Sequence, residues 1–158
     1  MVDDTRVTFV RKWLRRASEA EDEFDRFFSA WVALVVAAQR MRDSLGQLPE
    51  EDSDRRRVVD YFLARKSEVM RAVKNHEQEM MWLARRRGTT HDNPIIDTGN
   101  SNLRESFTKL SRYYTNGRSI PDDEHVKALA ELLNKIRNNV FHGVKVYDDK
   151  EDLELLRN

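Results

Sequence analysis

Apolar residues recur every three or four positions along most of the chain, with charged and polar residues between them. This period is that of an amphipathic α-helix, and no segment shows the strict alternation of a half-buried strand. The pattern predicts main helices over about residues 5–17, 18–45, 54–86, 101–114 and 121–142, then a short helix over 150–157. We therefore expect an all-α fold, an up-and-down bundle of about five helices.

Two local signals refine these helix boundaries. A Ser-x-x-Glu spacing that begins at Ser18 predicts a capping box at the start of the second helix. Pro121, followed by three acidic residues, predicts the start of the fifth helix. Between the third and fourth helices, residues 88–100 hold two Gly and one Pro and predict the one long loop, a kind of segment that is often functional.

Composition favours one domain over residues 1–158. The chain has 28 Lys and Arg against 28 Asp and Glu, so no bulk charge attracts it to nucleic acid or membranes. The absence of Cys excludes disulfides and thiolate zinc sites, and it fits a cytoplasmic protein. No signal peptide is predicted, and the longest apolar run, residues 30–38, is too short to span a membrane. Because His76, His91 and His125 lack metal-ligand spacing, we expect no metal site.

The candidate chemistry lies at the end of the fifth predicted helix, in the segment IRNNVFHG at residues 136–143. Its final Gly143 is the residue type that stops a helix in a left-handed conformation. Arg137 offers a planar fork for a phosphate, and His142 has an ordinary pKa of about 6.5, which suits proton transfer. Asn138 can hold the phosphate or orient the imidazole. Cleavage of RNA by its own 2′-hydroxyl needs a base, an acid and a cation, which makes these three residues the candidate catalytic set.

The spacing of Arg137 and His142 constrains how a site can form. The two residues are five positions apart, so on an unbroken helix they point about 140° away from each other. Either the helix breaks before His142, or a second copy completes the site across a two-fold axis. One protomer supplies only one histidine from this segment, which favours a homodimer if acid and base are both needed.

Segment 136–143 resembles the signature of the HEPN superfamily, here an Arg-x4-His motif with a polar residue after the arginine. The aromatic segment FDRFFSAWVAL at residues 24–34 is similar to the second helix of many HEPN domains. The resemblance implies a small helical bundle that dimerises through its motifs and often cuts RNA without a metal or other cofactor. By position, it makes Arg137 the phosphate ligand, Asn138 the polar helper and His142 the proton-transfer group.

The resemblance also implies partners and a cellular role. Such domains commonly act as toxins in toxin–antitoxin pairs or in antiviral defence against phage, and some are paired with a small nucleotidyltransferase as antitoxin. Several use an acidic residue from an earlier helix, for which Glu19, Asp22, Glu23 and Asp25 are equivalent candidates here.

Other interpretations of these residues stay open. The chain can be a non-catalytic HEPN-like module that binds RNA, a nucleotide or a partner protein, or a helical scaffold in which Arg137 only complements a helix dipole. The Arg-x4-His spacing also occurs at Arg71 and Arg86, but only the Arg137 copy combines the asparagine, the apolar helix end and the following glycine. Neighbouring Tyr113 and Tyr114 can stack on a single strand or pack in the core.

Overall fold

The structure is a computed structural model that describes residues 4–46, 53–85, 101–141 and 156–157. Within these ranges the chain forms seven helices and no strand. They are α1 (Asp4–Glu19), α2 (Glu23–Ser44), α3 (Asp54–Ala64), α4 (Lys66–Asn75), α5 (Glu77–Arg85), α6 (Ser101–Asn116) and α7 (Asp122–Phe141). The all-α prediction is confirmed, with more helices than the five expected. No described helix has the length and apolar character needed to cross a membrane.

The larger helix count arises because the region predicted as one helix over 54–86 is interrupted twice. Arg65 and His76 leave helical geometry, with φ and ψ of −112° and 29° and of −119° and 36°. The His76 amide still donates to the Ala72 carbonyl at 3.1 Å, and the Met80 amide donates to the His76 carbonyl at 3.0 Å, so this interruption is local. The single-helix prediction was wrong because neither glycine nor proline marks the breaks and the apolar stripe runs through them.

The junction of α1 and α2 also differs from its prediction. Ser18 is the penultimate residue of α1, and its hydroxyl donates to the Arg15 carbonyl at 2.8 Å. The residue that caps α2 is Asp22, which has extended geometry and accepts a hydrogen bond from the Asp25 amide at 2.9 Å. Aspartate is among the best N-cap residues because its carboxylate satisfies an amide that the helix leaves unpaired. The prediction of a capping box at Ser18 is therefore wrong, and the N-cap of α2 lies four residues later.

The chain divides into two compact units, Met1–Tyr61 and Phe62–Asn158, and each is described by itself. In the first unit, α1 packs along α2; in the second, α6 contacts α5 and α7, and α4 contacts α7 and α5. The single domain over 1–158 stays a prediction. The predicted loop at 88–100 lies outside the described residues, and of the predicted last helix only Leu156 and Arg157 are described, both helical.

In the first unit, ion pairs at both ends fix α1 and α2 as an antiparallel hairpin. Arg6 near the start of α1 pairs with Asp43 near the end of α2, and Arg16 pairs with Asp25 at 3.1 Å at the other end. The Arg6 hydrogen bond holds the pKa of the Asp43 carboxyl below its usual value.

In the second unit, α7 forms the core. Its buried apolar residues occupy most of the helix circumference: Val126, Ala128, Leu129, Ala130, Leu132 and Ile136. An apolar face this wide is stable only when other helices cover it. Its acidic first turn is held by cations from other helices, since Lys66 of α4 lies 2.6 Å from Asp123 and Lys109 of α6 lies 3.3 Å from Glu124. The candidate arginine therefore lies near the end of the most firmly packed helix of this unit.

Candidate functional site

The C-terminal turn of α7 carries two of the three predicted catalytic residues. Arg137 and Asn138 are both half-buried, and the helix extends to Phe141. The buried Ile136 and Leu132 anchor this end of the helix in the second unit. The third predicted residue, His142, and the predicted helix stop at Gly143 lie outside the described residues.

The Arg137 guanidinium contacts two neighbours on its own helix. Its Nη1 donates a hydrogen bond to Asn138 Oδ1 at 2.8 Å. Its Cζ lies 4.9 Å from the centroid of the Phe141 ring, a cation–π contact that is worth roughly 0.5–1 kcal/mol when exposed and more when desolvated. The Asn138 amide and the Phe141 ring restrict the guanidinium before any ligand binds. An anion that binds it therefore costs less side-chain conformational entropy. The turn thus presents a pre-oriented cation.

These contacts add one interaction to a predicted site residue and bring one further residue into the candidate site. The prediction that Asn138 holds a phosphate or orients the imidazole stays a prediction; the structure adds that its side-chain carbonyl oxygen accepts a hydrogen bond from the Arg137 guanidinium. Phe141 was not predicted as a site residue. The available signal was its position four residues after Arg137, the spacing at which side chains of a helix meet.

Buried polar residues mark a second feature of α7 that the sequence did not reveal. Glu131, Asn134 and Asn139 are each less than one-tenth exposed. Polar groups are costly to bury unless they are hydrogen-bonded. Glu131, Asn134 and Asn138 recur at intervals of three and four residues, so they share one face of the helix that reaches the Arg137 turn. Apolar periodicity predicts a helix but carries no information about which polar residues are buried on it, so this polar face was not predicted.

The other concentration of titratable side chains joins α6 to the start of α7. His125 is 1% exposed, and its Nε2 lies 2.9 Å from the Tyr114 hydroxyl. Its ring centroid is 4.8 Å from that of Tyr113 and 5.5 Å from that of Tyr114. These contacts favour the core-packing interpretation of Tyr114 over the stacking one.

Burial shifts both titrating groups of this cluster toward their neutral forms. Desolvation lowers the pKa of His125, an effect that Asp122 opposes. Desolvation is also the main cause of the raised pKa of Tyr114, to which Tyr113 and Glu77 add. A neutral imidazole and a neutral phenol therefore share the hydrogen bond near pH 7. This pairing ties α6 to α7 and leaves no charge to bind phosphate.

The four acidic candidates of the first unit take part in its internal contacts. Asp22 caps α2, Asp25 pairs with Arg16, and Glu19 pairs with Arg15 at 2.7 Å. Glu23 lies in the first turn of α2, where a carboxylate complements the helix dipole. Among the described side chains, no three or more of His, Cys, Asp and Glu group closely enough to hold a metal ion.

The chain was compared with protein-family models, curated proteins and solved structures. Nothing matches in any of the three. Any functional argument therefore depends on the residues of this chain, above all the Arg137 turn and the motif that contains it.

Proposed function

We propose that this protein is a HEPN-type endoribonuclease that cuts RNA without a metal ion, at a composite site formed by two protomers. One observation carries the proposal: the Arg137 guanidinium is oriented by Asn138 and Phe141 within a segment that continues to His142 and Gly143. A fixed guanidinium suits a phosphate because it donates two parallel hydrogen bonds to two oxygens. A histidine five residues later adds a group that can transfer protons near neutral pH.

In the proposed reaction, the ribose 2′-oxygen attacks the adjacent phosphorus atom. A His142 imidazole takes the proton of the 2′-hydroxyl as the new oxygen–phosphorus bond forms. The bond from phosphorus to the 5′-oxygen breaks, and the His142 imidazolium of the partner protomer protonates that oxygen. Arg137 stabilises the charge that develops on the phosphate. The products are a 2′,3′-cyclic phosphate and a free 5′-hydroxyl.

Asn138 and Phe141 act as positioning residues in this account. They contact the guanidinium and orient it for phosphate binding. An arginine that is ordered before binding stabilises a transition state better than a mobile one, because its reorganisation is complete when charge develops.

The test is cleavage of mixed cellular RNA in the presence of EDTA by the wild type and by Arg137→Ala and His142→Ala. We expect Arg137→Ala to reduce the rate by about 10²–10³-fold, the usual effect of removing a group that stabilises transition-state charge. We expect His142→Ala to reduce it by about 10²–10⁴-fold, the usual contribution of a general acid or base. Arg112→Ala is the matched control, because it removes an exposed arginine from α6 of the same unit. Undiminished cleavage by both motif variants would exclude the proposal. Binding without cleavage by the wild type would instead favour the non-catalytic module.

The composite site makes activity depend on association. Specific activity should fall when the protein is diluted below its dimer dissociation constant, and light scattering should show the dimer dissociating over the same concentrations. A monomer of constant specific activity would contradict the two-protomer site.

A toxin or defence role follows from such an activity, with an antitoxin such as a small nucleotidyltransferase as the proposed partner. Expression of the wild type in bacteria should arrest growth and fragment RNA, whereas His142→Ala should do neither. Equal growth of both strains at equal protein levels would argue against this role.

A further inference from the structure

Three aromatic side chains of the first unit lie in contact, and we call them the Phe9 ladder: the exposed Phe9 and Phe28, with the half-buried Trp13 between them. Phe9 is 42% and Phe28 is 39% exposed. The Phe9 and Trp13 centroids are 5.9 Å apart at 51°, and those of Trp13 and Phe28 are 5.8 Å apart at 73°. Neither pair is stacked face to face, and Phe9 and Phe28 each keep more than a third of their surface exposed. Contiguous exposed apolar surface of this kind marks an interaction site.

Cationic side chains adjoin the ladder. The Arg16 guanidinium lies 5.2 Å from the Trp13 ring centroid. Lys12 is exposed, lies one turn from both Phe9 and Arg16, and forms no ion pair with any residue in the described part of the chain. It lines two hollows of about 240 and 320 Å³, one shared with Arg16 and Asp25 and the other with Phe9. α1 as a whole carries five basic and two acidic residues.

The combination of rings and cations decides which partner the surface suits. A second copy joined through this face by a two-fold axis would place the basic side chains of two α1 helices in one interface, which is unfavourable for like charges. A single-stranded nucleic acid offers the complement, because unpaired bases stack on aromatic rings while the phosphates approach the cations. A duplex cannot use the rings in this way, since its bases already stack on one another.

We propose that the Phe9 ladder binds single-stranded RNA, with Phe9 and Phe28 stacking on unpaired bases and Lys12 contacting a phosphate. This inference rests on the proposed function and deepens it, because it names single-stranded RNA as the substrate class.

The test uses the full chain carrying His142→Ala, to prevent cleavage, and fluorescence anisotropy with a labelled oligouridine of about 12 nucleotides. Phe9→Ala and Phe28→Ala should each weaken binding by between about 5-fold and 150-fold, the range that corresponds to one base–aromatic stack. Leu14→Ala is the matched control. Leu14 is 52% exposed on the same helix, but it is five positions from Phe9 and points about 140° away.

A second pair of variants tests the phosphate contact. Lys12→Gln should weaken binding and reduce the slope of log affinity against log salt by about 0.7, the value for one phosphate contact on a single strand. Arg11→Gln is its control, because Arg11 is also exposed on α1 but lies two positions from Phe9 and points about 160° away from it. Circular dichroism should show unchanged helicity in all five variants, since each of these five side chains is at least one-third exposed.

Three results would overturn the inference: ladder variants that bind like the wild type, a Leu14→Ala loss as large as the Phe9→Ala loss, or equal affinity for a duplex. Ladder variants that alter oligomeric state without altering RNA binding would assign the surface to a second copy instead. The two proposals fail separately. Ladder-dependent binding without cleavage by the wild type would remove only the proposed function, and cleavage that is insensitive to the ladder would remove only this inference.

Discussion

The hydrogen bond between Tyr114 and His125 gives the sharpest prediction for stability. It is 2.9 Å long and joins α6 to α7, and its imidazole is 1% exposed. Among the described residues, no hydrogen bond reaches the other ring nitrogen, Nδ1. Tyr114→Phe removes the phenolic oxygen while keeping the ring contacts, and it leaves the buried Nε2 without its partner.

The expected loss follows from that unpaired nitrogen. Leaving a buried polar group unsatisfied costs about 1–3 kcal/mol, more than the net value of an ordinary hydrogen bond. If the second unit unfolds cooperatively, each kcal/mol lowers the melting temperature by about 4–8 °C at this size. We expect Tyr114→Phe to lower the free energy of unfolding by this amount in urea titrations followed by circular dichroism at pH 7.5.

Tyr113→Phe is the matched control. Tyr113 contacts the same imidazole through its ring, but its hydroxyl forms no hydrogen bond within the described part of the chain, so we expect a change within about 0.5 kcal/mol. Equal decreases in unfolding free energy for the two variants would refute the reasoning, because removing a hydroxyl that forms the hydrogen bond would then cost no more than removing one that does not. An unchanged stability for Tyr114→Phe would refute it as well.

Three further predictions concern His125, Phe141 and Asp22. Burial lowers the pKa of His125, so below about pH 6.5 the unfolded state binds more protons than the folded state, and stability decreases as the pH is lowered. His125→Gln should therefore make the urea midpoint less dependent on pH between pH 7 and pH 5. An equally steep decrease in the variant would contradict this. Phe141→Leu should reduce RNA cleavage by about 2- to 5-fold through loss of a cation–π contact, with no effect in an Arg137→Ala background; an equal reduction there would contradict the contact's role. Asp22→Ala should destabilise the first unit by about 1 kcal/mol in thermal unfolding, whereas Asp22→Asn should retain most of the cap.

The sequence predicted most helices because their apolar faces repeat at the helical period. The start of α7 was predicted for a local reason, since Pro121 and the acidic first turn act within a few residues. The breaks at Arg65 and His76 were not predictable in the same way, because they carry neither glycine nor proline. Ser18 and Asp22 are both good N-cap residues, and the choice between them depends on where α1 ends.

In the candidate site, too, features set by local sequence were predicted and features set by tertiary packing were not. Arg137 and Asn138 were predicted because their spacing and context lie within one short segment. The contact of Phe141 with Arg137 could have been predicted from helix geometry alone, because the two residues are four positions apart. The Tyr114–His125 pair joins residues 11 positions apart on two helices, so it depends on how α6 packs against α7. Tertiary packing of this kind has no signature in the period of a single helix.

The central claim is that Arg137 and His142 cut RNA through its own 2′-hydroxyl. The most direct measurement is mass spectrometry of the product ends after incubation of one oligoribonucleotide and its all-deoxy counterpart with the wild type and His142→Ala in EDTA. We expect only the wild type to cut, and only the ribose strand to be cut. The product ends should be a 2′,3′-cyclic phosphate and a 5′-hydroxyl. Cleavage of the deoxy strand, 5′-phosphate ends, or equal cleavage by His142→Ala would contradict it.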